Sequence, residues 1–218
     1  MRRLILNALR LAAALTVIAA AGVTAQKPKT VALPKPQVTG EKPLMQALNE
    51  RMTHREFSPE KLSPQMLSNL LWAAFGINRP DGRRTAPSAS NMQEIDLYVV
   101  MADGVYVYDA KAHALQFSLK EDLRAATGSQ PWIATAPLSL VYVADYAKMG
   151  QRSDEDKRFY SGTDTGFVAQ NVYLFCASEG LATVVRGGLD RPAMEKALKL
   201  RPDQRVVLAQ TVGYPPKK

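Results

Sequence analysis

One cysteine, Cys176, and two histidines, His54 and His113, are all that 218 residues hold of those types. A lone thiol excludes an intrachain disulfide, so no covalent staple helps this fold in any compartment. Cys176 sits in an apolar helical run and reads as a small buried hydrophobe. The histidines are far apart and have no Cys or His neighbour at ligand spacing, which excludes a zinc-type site. No Ser/His/Asp or Cys/His nucleophile set, no Gly-rich phosphate loop and no dinucleotide fingerprint occurs. No repeat with a period of about 20–50 residues is present, so a solenoid is excluded. Basic residues exceed acidic ones, 28 to 20, but they are scattered. A nucleic-acid binder would gather them in a patch or stripe, so nucleic acid is not expected as a partner. A small anionic ligand is a sufficient explanation of the excess.

What the chain does have is apolar content, 46%, enough for a real core in one domain. The N-terminus reads as an export signal over residues 1–25. Arg2, Arg3 and Arg10 carry its charge, Leu11 to Val23 is apolar apart from Thr16, and Val23-Thr24-Ala25 offers small residues for cleavage. The apolar run is short for a membrane span, which needs about 20 residues. Arg2-Arg3 before Leu4-Ile5-Leu6 also resembles a twin-arginine signal, which would suit a protein that folds around a cofactor before export. Cleavage would place the protein in the periplasm or outside the cell and lower the net charge from +8 to +5. Residues 26–43, with Pro28, Pro34, Pro36, Pro43 and several lysines, read as an extended arm. The folded domain is expected over 44–218.

Within it, hydrophobic spacing predicts a helix from Leu44 to about Arg51. Ser63-Pro64 opens a second, with Gly76 as its stop. Ile95 to Met101 reads as a strand, Asp103-Gly104 as a hairpin turn, and Val105 to Tyr108 and Ala114 to Phe117 as the next strands. A short helix is expected over Lys120 to Ala126 and a central strand over Leu138 to Ala144. Residues 154–160 read as a charged helix. A separate long one is capped by Thr163 or Asp164 and runs through Glu179 to Gly180. Two strands, Ala182 to Val185 and Arg205 to Val212, flank a helix starting near Pro192. Helices interleaved with hairpins predict an α+β fold with a central, mostly antiparallel sheet surrounded by helices. The long helix is apolar on more than one side, so it is either a central helix or a subunit interface.

Four segments have the composition of a ligand site. Arg51-Met52-Thr53-His54-Arg55-Glu56-Phe57 places two guanidiniums around a hydroxyl, which suits a phosphate. The same residues could also be a helix end facing water. Pro87-Ser88-Ala89-Ser90-Asn91-Met92-Gln93 has hydroxyls and amides but nothing that titrates near neutrality, so it suits a flat polar ligand or a plain loop. Gln130-Pro131-Trp132-Ile133-Ala134 offers an amide beside an aromatic wall. Val184-Val185-Arg186-Gly187-Gly188 allows close backbone approach, and equally suits a turn.

In this order, the four segments resemble the nitroreductase family, over roughly residues 44–216. Gly213-Tyr214-Pro215 is similar as well. The resemblance implies an intertwined homodimer that binds FMN. Arg51, Thr53 and Arg55, with Lys217 and Lys218, would hold the phosphate and ribityl chain. Pro87, Ser88, Ala89 and Asn91 would reach the flavin bound mainly by the other subunit. Gln130 would dress the ring, and Gly187 and Gly188 would line its N5 side. The implied activity is two-electron hydride transfer through the flavin to an electron-poor small molecule, with no essential side-chain proton donor. Outside the cytoplasm NAD(P)H is not freely available, which leaves the electron donor open. Two departures stand out. Met52 replaces the Arg or His of many members, and the chain stops at Lys217-Lys218 where members often continue. They motivate the alternatives of a non-catalytic scaffold that keeps the fold or a flavin-dependent dehydrogenase of a modified peptide. The adjacent Lys-Tyr pair of azoline-oxidising relatives is not found.

Overall fold

The computed structural model describes residues 30–217. The expected signal segment, residues 26–29 of the arm and Lys218 lie outside the described residues. The elements in chain order are β1 (Thr30–Ala32), α1 (Leu44–Glu50), α2 (Pro64–Phe75), β2 (Ile95–Met101), β3 (Gly104–Asp109), β4 (Ala114–Leu119), β5 (Leu138–Asp145), α3 (Asp154–Glu179), β6 (Ala182–Arg186), α4 (Arg191–Ala197) and β7 (Gln204–Gly213). The seven strands form one sheet in the order β1-β4-β3-β2-β5-β7-β6. Each pairing in it is antiparallel.

The central strand β5 is buried along its whole length because both faces of the sheet are covered. Side chains alternate across a strand. Leu138, Leu140, Tyr142 and Ala144 therefore enter the core under α2 and α3. Val141 and Val143 enter a smaller core with Met194 and Leu198 at α4. The local signals at α2 act as the sequence indicates. The Ser63 hydroxyl accepts from Met66 N at 3.1 Å, and Pro64 takes the first helical position. The β2–β3 hairpin turns at Gly104, where φ is +148° and a Cβ would lie 2.6 Å from the Leu119 carbonyl oxygen. Only glycine fits there.

Two expected elements differ. In place of a charged helix and a second helix capped at Thr163 or Asp164, α3 is continuous for 26 residues. Ser153 caps it by accepting from Asp156 N at 3.1 Å, and Asp154, Glu155 and Asp156 favour its positive end. The Thr163 hydroxyl bonds back to the Phe159 carbonyl within the helix, and Asp164 is committed elsewhere. Burial of Val168, Val172 and Cys176 outweighs the cost of Gly162 and Gly166, about 1 kcal/mol each. The short helix expected over Lys120 to Ala126 is a single 3-10 turn, Arg124–Thr127. Arg124 there pairs with Asp122 at 2.7 Å and donates to the Ala136 carbonyl at 2.8 Å, which draws the chain off a helical path.

The arm is extended but held. β1 pairs with β4. The Pro34 carbonyl accepts from the Ser68 hydroxyl at 2.5 Å and lies 3.0 Å from His113 Nε2, and Gln37 N donates to Asn69 Oδ1 at 2.9 Å. Ser68 is fully buried, so its proximity to His113 makes an anchor and not a nucleophile.

Leu140 is fully buried at the centre of the larger core. Replacing it with alanine is expected to cost about 2–5 kcal/mol, read as a lower urea midpoint with an unchanged slope.

Candidate functional site

β6 is an edge strand, so every second residue turns its N–H and C=O outward, away from β7. Those outward groups are answered from two directions. The chain leaving α1 lies along the edge, and His54 N donates to the Thr183 carbonyl at 3.0 Å. From α3, the Tyr173 hydroxyl accepts from Val185 N at 3.0 Å and sits 3.2 Å from the Thr53 hydroxyl. Arg51 is at the end of α1 with its guanidinium over the Tyr173 ring, 5.3 Å from the centroid. Arg51 and Thr53 are thus brought onto one aromatic post at the edge of the sheet.

Gly187 lies one step past the strand, two residues after Val185, so a continued alternation would turn its N–H to the side of Thr183 and Val185. It has no hydrogen-bond partner among the described residues. Gly188 has open space where a Cβ would be. An unpaired amide beside a glycine leaves room for close approach to the backbone there.

The Gln130 segment reaches the same place through aromatic contact. Phe57 packs against Trp132 with ring centroids 5.1 Å apart. Arg186 lies 5.6 Å from the Trp132 ring centroid. Its guanidinium is buried and donates to the Thr127 carbonyl and hydroxyl, Ser139 Oγ and Thr211 Oγ1, with no carboxylate beside it. Burial pushes its pKa down to about 10. The Gln130 side chain makes no hydrogen bond among the described residues and is exposed, with its oxygen beside Gly128.

Other expected residues are not gathered there. Arg55 is exposed and unpaired among the described residues. Lys217 pairs with Glu60 at 3.2 Å. The segment Pro87–Gln93 is held at another part of α3. Ala89 N donates to Asp164 Oδ2 at 2.8 Å, nine residues before Tyr173, or about 13 Å along the helix. Ser88 Oγ accepts from Gln93 N at 2.9 Å, and Arg84 Nε donates to Gln93 Oε1 at 2.8 Å. Ser90, Asn91 and Gln93 all have positive φ, 53°, 55° and 49°. Non-glycine residues persist in that region only when their surroundings over-determine them, and such strain concentrates at binding sites. Arg152 adds a bond to Ser90 Oγ at 2.9 Å.

Beneath this loop lies a pair of buried acids. Glu94 is fully buried and neither of its oxygens has a hydrogen-bond partner. Burial, first, and the neighbouring Asp164 side chain raise its pKa from 4.5 to about 7, against a lowering by its own backbone and by Lys148.

Sequence reading missed Tyr173, Arg84 and Glu94 as parts of the site, and it named Arg186 only within the glycine segment and Asp164 only on the long helix. Arg186 left a trace, a cation interrupting an apolar strand just before two glycines. Tyr173 left none, since a tyrosine in an apolar helix reads as core.

The fold is an α+β sheet whose edge strand β6 gathers Arg51, Thr53 and Tyr173. More specifically, the chain belongs to the nitroreductase family, whose model matches residues 48–214. It is 34% identical over 169 residues to a Methanocaldococcus jannaschii protein provisionally named a nitroreductase, covering 72% of this chain and 85% of that one. A nitroreductase structure from Ralstonia eutropha JMP134, itself provisionally assigned, superposes with a TM-score of 0.83 at 40% identity, covering 87% of this chain and 90% of that one. The NADPH:FMN oxidoreductase of Vibrio harveyi shares the fold, with a TM-score of 0.61 at 20% identity, covering 80% of this chain and 69% of that one. A general oxidoreductase function of the nitroreductase type follows from membership of the family.

Because Glu94 keeps its proton in the folded state up to about pH 7 and loses it near 4.5 when unfolded, the folded state binds more protons in that window. Stability is therefore expected to fall as pH rises from about 4.5 to about 7. Glu94→Gln should remove that fall, leaving the variant the more stable form at pH 8 and close to wild type at pH 4.5. Urea midpoints across that pH range check it.

Proposed function

We propose that this chain is an exported, FMN-dependent oxidoreductase working as a homodimer. The observation that carries the reading is the edge of β6. Arg51 and Thr53 meet there on Tyr173, and Gly187, whose N–H has no hydrogen-bond partner among the described residues, follows the same strand directly. When bound, FMN would supply two-electron chemistry, accepting a hydride from a reductant and passing it to an electron-poor small molecule.

The protein's own part is to bind and bias. Arg51 would grip the phosphate, with Thr53 beside it and Arg55 close by in sequence; a charge-assisted hydrogen bond is worth about 1.5–3 kcal/mol. The Gly187 N–H would donate at the N5 side, where it favours negative charge on the reduced ring. Gln130, standing free beside Trp132, can donate or accept along the ring edge. The FMN named for the Vibrio harveyi protein supports this choice of cofactor.

The homodimer is proposed from α3. Phe159 and Phe167 are 64% and 44% exposed on one face of the helix, with Gly162, Thr163 and Gly166 between them. A two-fold contact there would bury the two rings. It would also allow the strained Ser88–Gln93 loop of one protomer to meet the β6 edge of the other, a meeting that one protomer alone does not make. Ser88, Asn91 and the backbone of Pro87 and Ala89 would then complete the slot. Export is proposed from Arg2, Arg3, Arg10 and the apolar run after them, and the reductant would then come from outside the NAD(P)H pool.

Arg51→Ala is expected to weaken FMN binding about tenfold or more, measured by quenching of flavin fluorescence. Wild-type protein that folds as a dimer yet takes up no FMN would sink the flavin reading and favour the scaffold. Phe167→Glu is expected to yield a monomer by light scattering and to lose FMN with it. A monomer that keeps wild-type flavin affinity would overturn the shared slot.

A further inference from the structure

At the far end of the β6 edge from Arg51 lies a cleft of about 380 Å3. Three elements bring guanidiniums to its wall: Arg158 from α3, Arg191 at the start of α4 and Arg205 in β7. None of the three forms an ion pair among the described residues. Two of them are fixed by backbone carbonyls. Arg191 Nε donates to Val207 O at 3.1 Å, and Arg205 Nη1 donates to Pro202 O and Gln204 O, both at 2.7 Å. These bonds hold the forks in place and leave the outer N–H groups of Arg191 without partners. Arg158 makes no side-chain hydrogen bond at all among the described residues.

Like charges gathered on one wall repel unless an anion lies between them. Asp154 and Glu195 share the cleft but do not pair with the arginines, and Glu195 Oε1 is taken by Val206 N at 3.0 Å. The wall therefore keeps a net positive charge. We propose that this cleft binds a small phosphomonoester whose phosphate is forked by Arg158, Arg191 and Arg205. Planar guanidiniums match phosphate oxygens in pairs. The volume falls in the range of about 300–1,000 Å3 typical of small-molecule sites and exceeds that of a bare anion. Asp154 and Glu195 are placed to accept from hydroxyl or amino groups on the rest of the ligand.

The cleft lies apart from the phosphate end of the proposed flavin slot and adjoins its Gly187 end. Thr183, met by His54, and Gly187, whose Cβ position lies 3.8 Å from Arg191 Nη2, are about 13 Å apart along the strand direction. Asp154 and Arg158 also point roughly 140° around α3 from the Phe159–Phe167 face, so a dimer through that face leaves the cleft open.

The test is calorimetric titration of the full chain with glycerol 3-phosphate, with and without saturating FMN. Saturable binding at one site per chain is expected both without and with FMN. Arg158→Ala should weaken it at least about tenfold. Since the Arg158 side chain holds nothing else in place, that variant should keep the wild-type thermal midpoint; Arg205→Ala provides a second measure. Absence of saturable binding at millimolar concentrations, an unchanged affinity in Arg158→Ala, or displacement by FMN would each overturn the proposal. A protein that takes no FMN but binds glycerol 3-phosphate would refute the flavin reading and leave this one standing.

Discussion

An edge strand cannot leave its amides unanswered, and in this protein that requirement organises everything around the site. β6 closes one side of the sheet, with half of its N–H and C=O groups facing away from β7. Unpaired backbone groups are costly when buried, and long open edges invite aggregation. The answer here is a short run of chain after α1 and one phenol from α3. His54 takes the Thr183 carbonyl, and Tyr173 takes the Val185 amide. Covering the edge also sets the position of Arg51 and Thr53, because both are fastened to Tyr173. The cover ends before Gly187, whose amide has no hydrogen-bond partner among the described residues.

The polar loop Pro87–Gln93 solves a different problem by different means. Three left-handed residues that are not glycine would relax in a free loop. Asp164, Arg84, Arg152 and the loop's own Ser88 hold them. Asp164 serves as the anchor: its buried side chain accepts from Ala89 N. The neighbouring Glu94 accommodates it by holding a proton, which avoids two like charges in one low-dielectric place. A loop pinned this firmly presents its hydroxyls and amides in one arrangement, which lowers the ordering cost of binding.

α3 joins these two constructions. Its inner face enters the larger core through Val168, Val172 and Cys176, and its polar residues Asp164 and Tyr173 each hold one half of the proposed slot. The halves sit at different heights on one helix, about 13 Å apart. The exposed rings of Phe159 and Phe167 supply the apolar face through which the proposed partner would bring the missing half.

Much of the fold could be read from the chain because its signals are local. Ser63-Pro64 opens α2, Gly104 turns the first hairpin, and the apolar run at Leu138–Asp145 is a strand buried on both faces. The segments of the site could also be named, since a helix end with two arginines, a polar loop and a glycine pair each have a composition of their own. The continuity of α3 could not, because local propensity favours a break at Gly162–Asp164 and only long-range packing overrides it. Nor could the roles of Tyr173, Asp164, Glu94 and Arg186. Burial, and the partners that make burial tolerable, come from residues tens of positions away, and no local pattern records them. The sequence by itself determined which residues could bind. The tertiary structure decided which of them share an edge, because that depends on where the sheet ends and what must cover it.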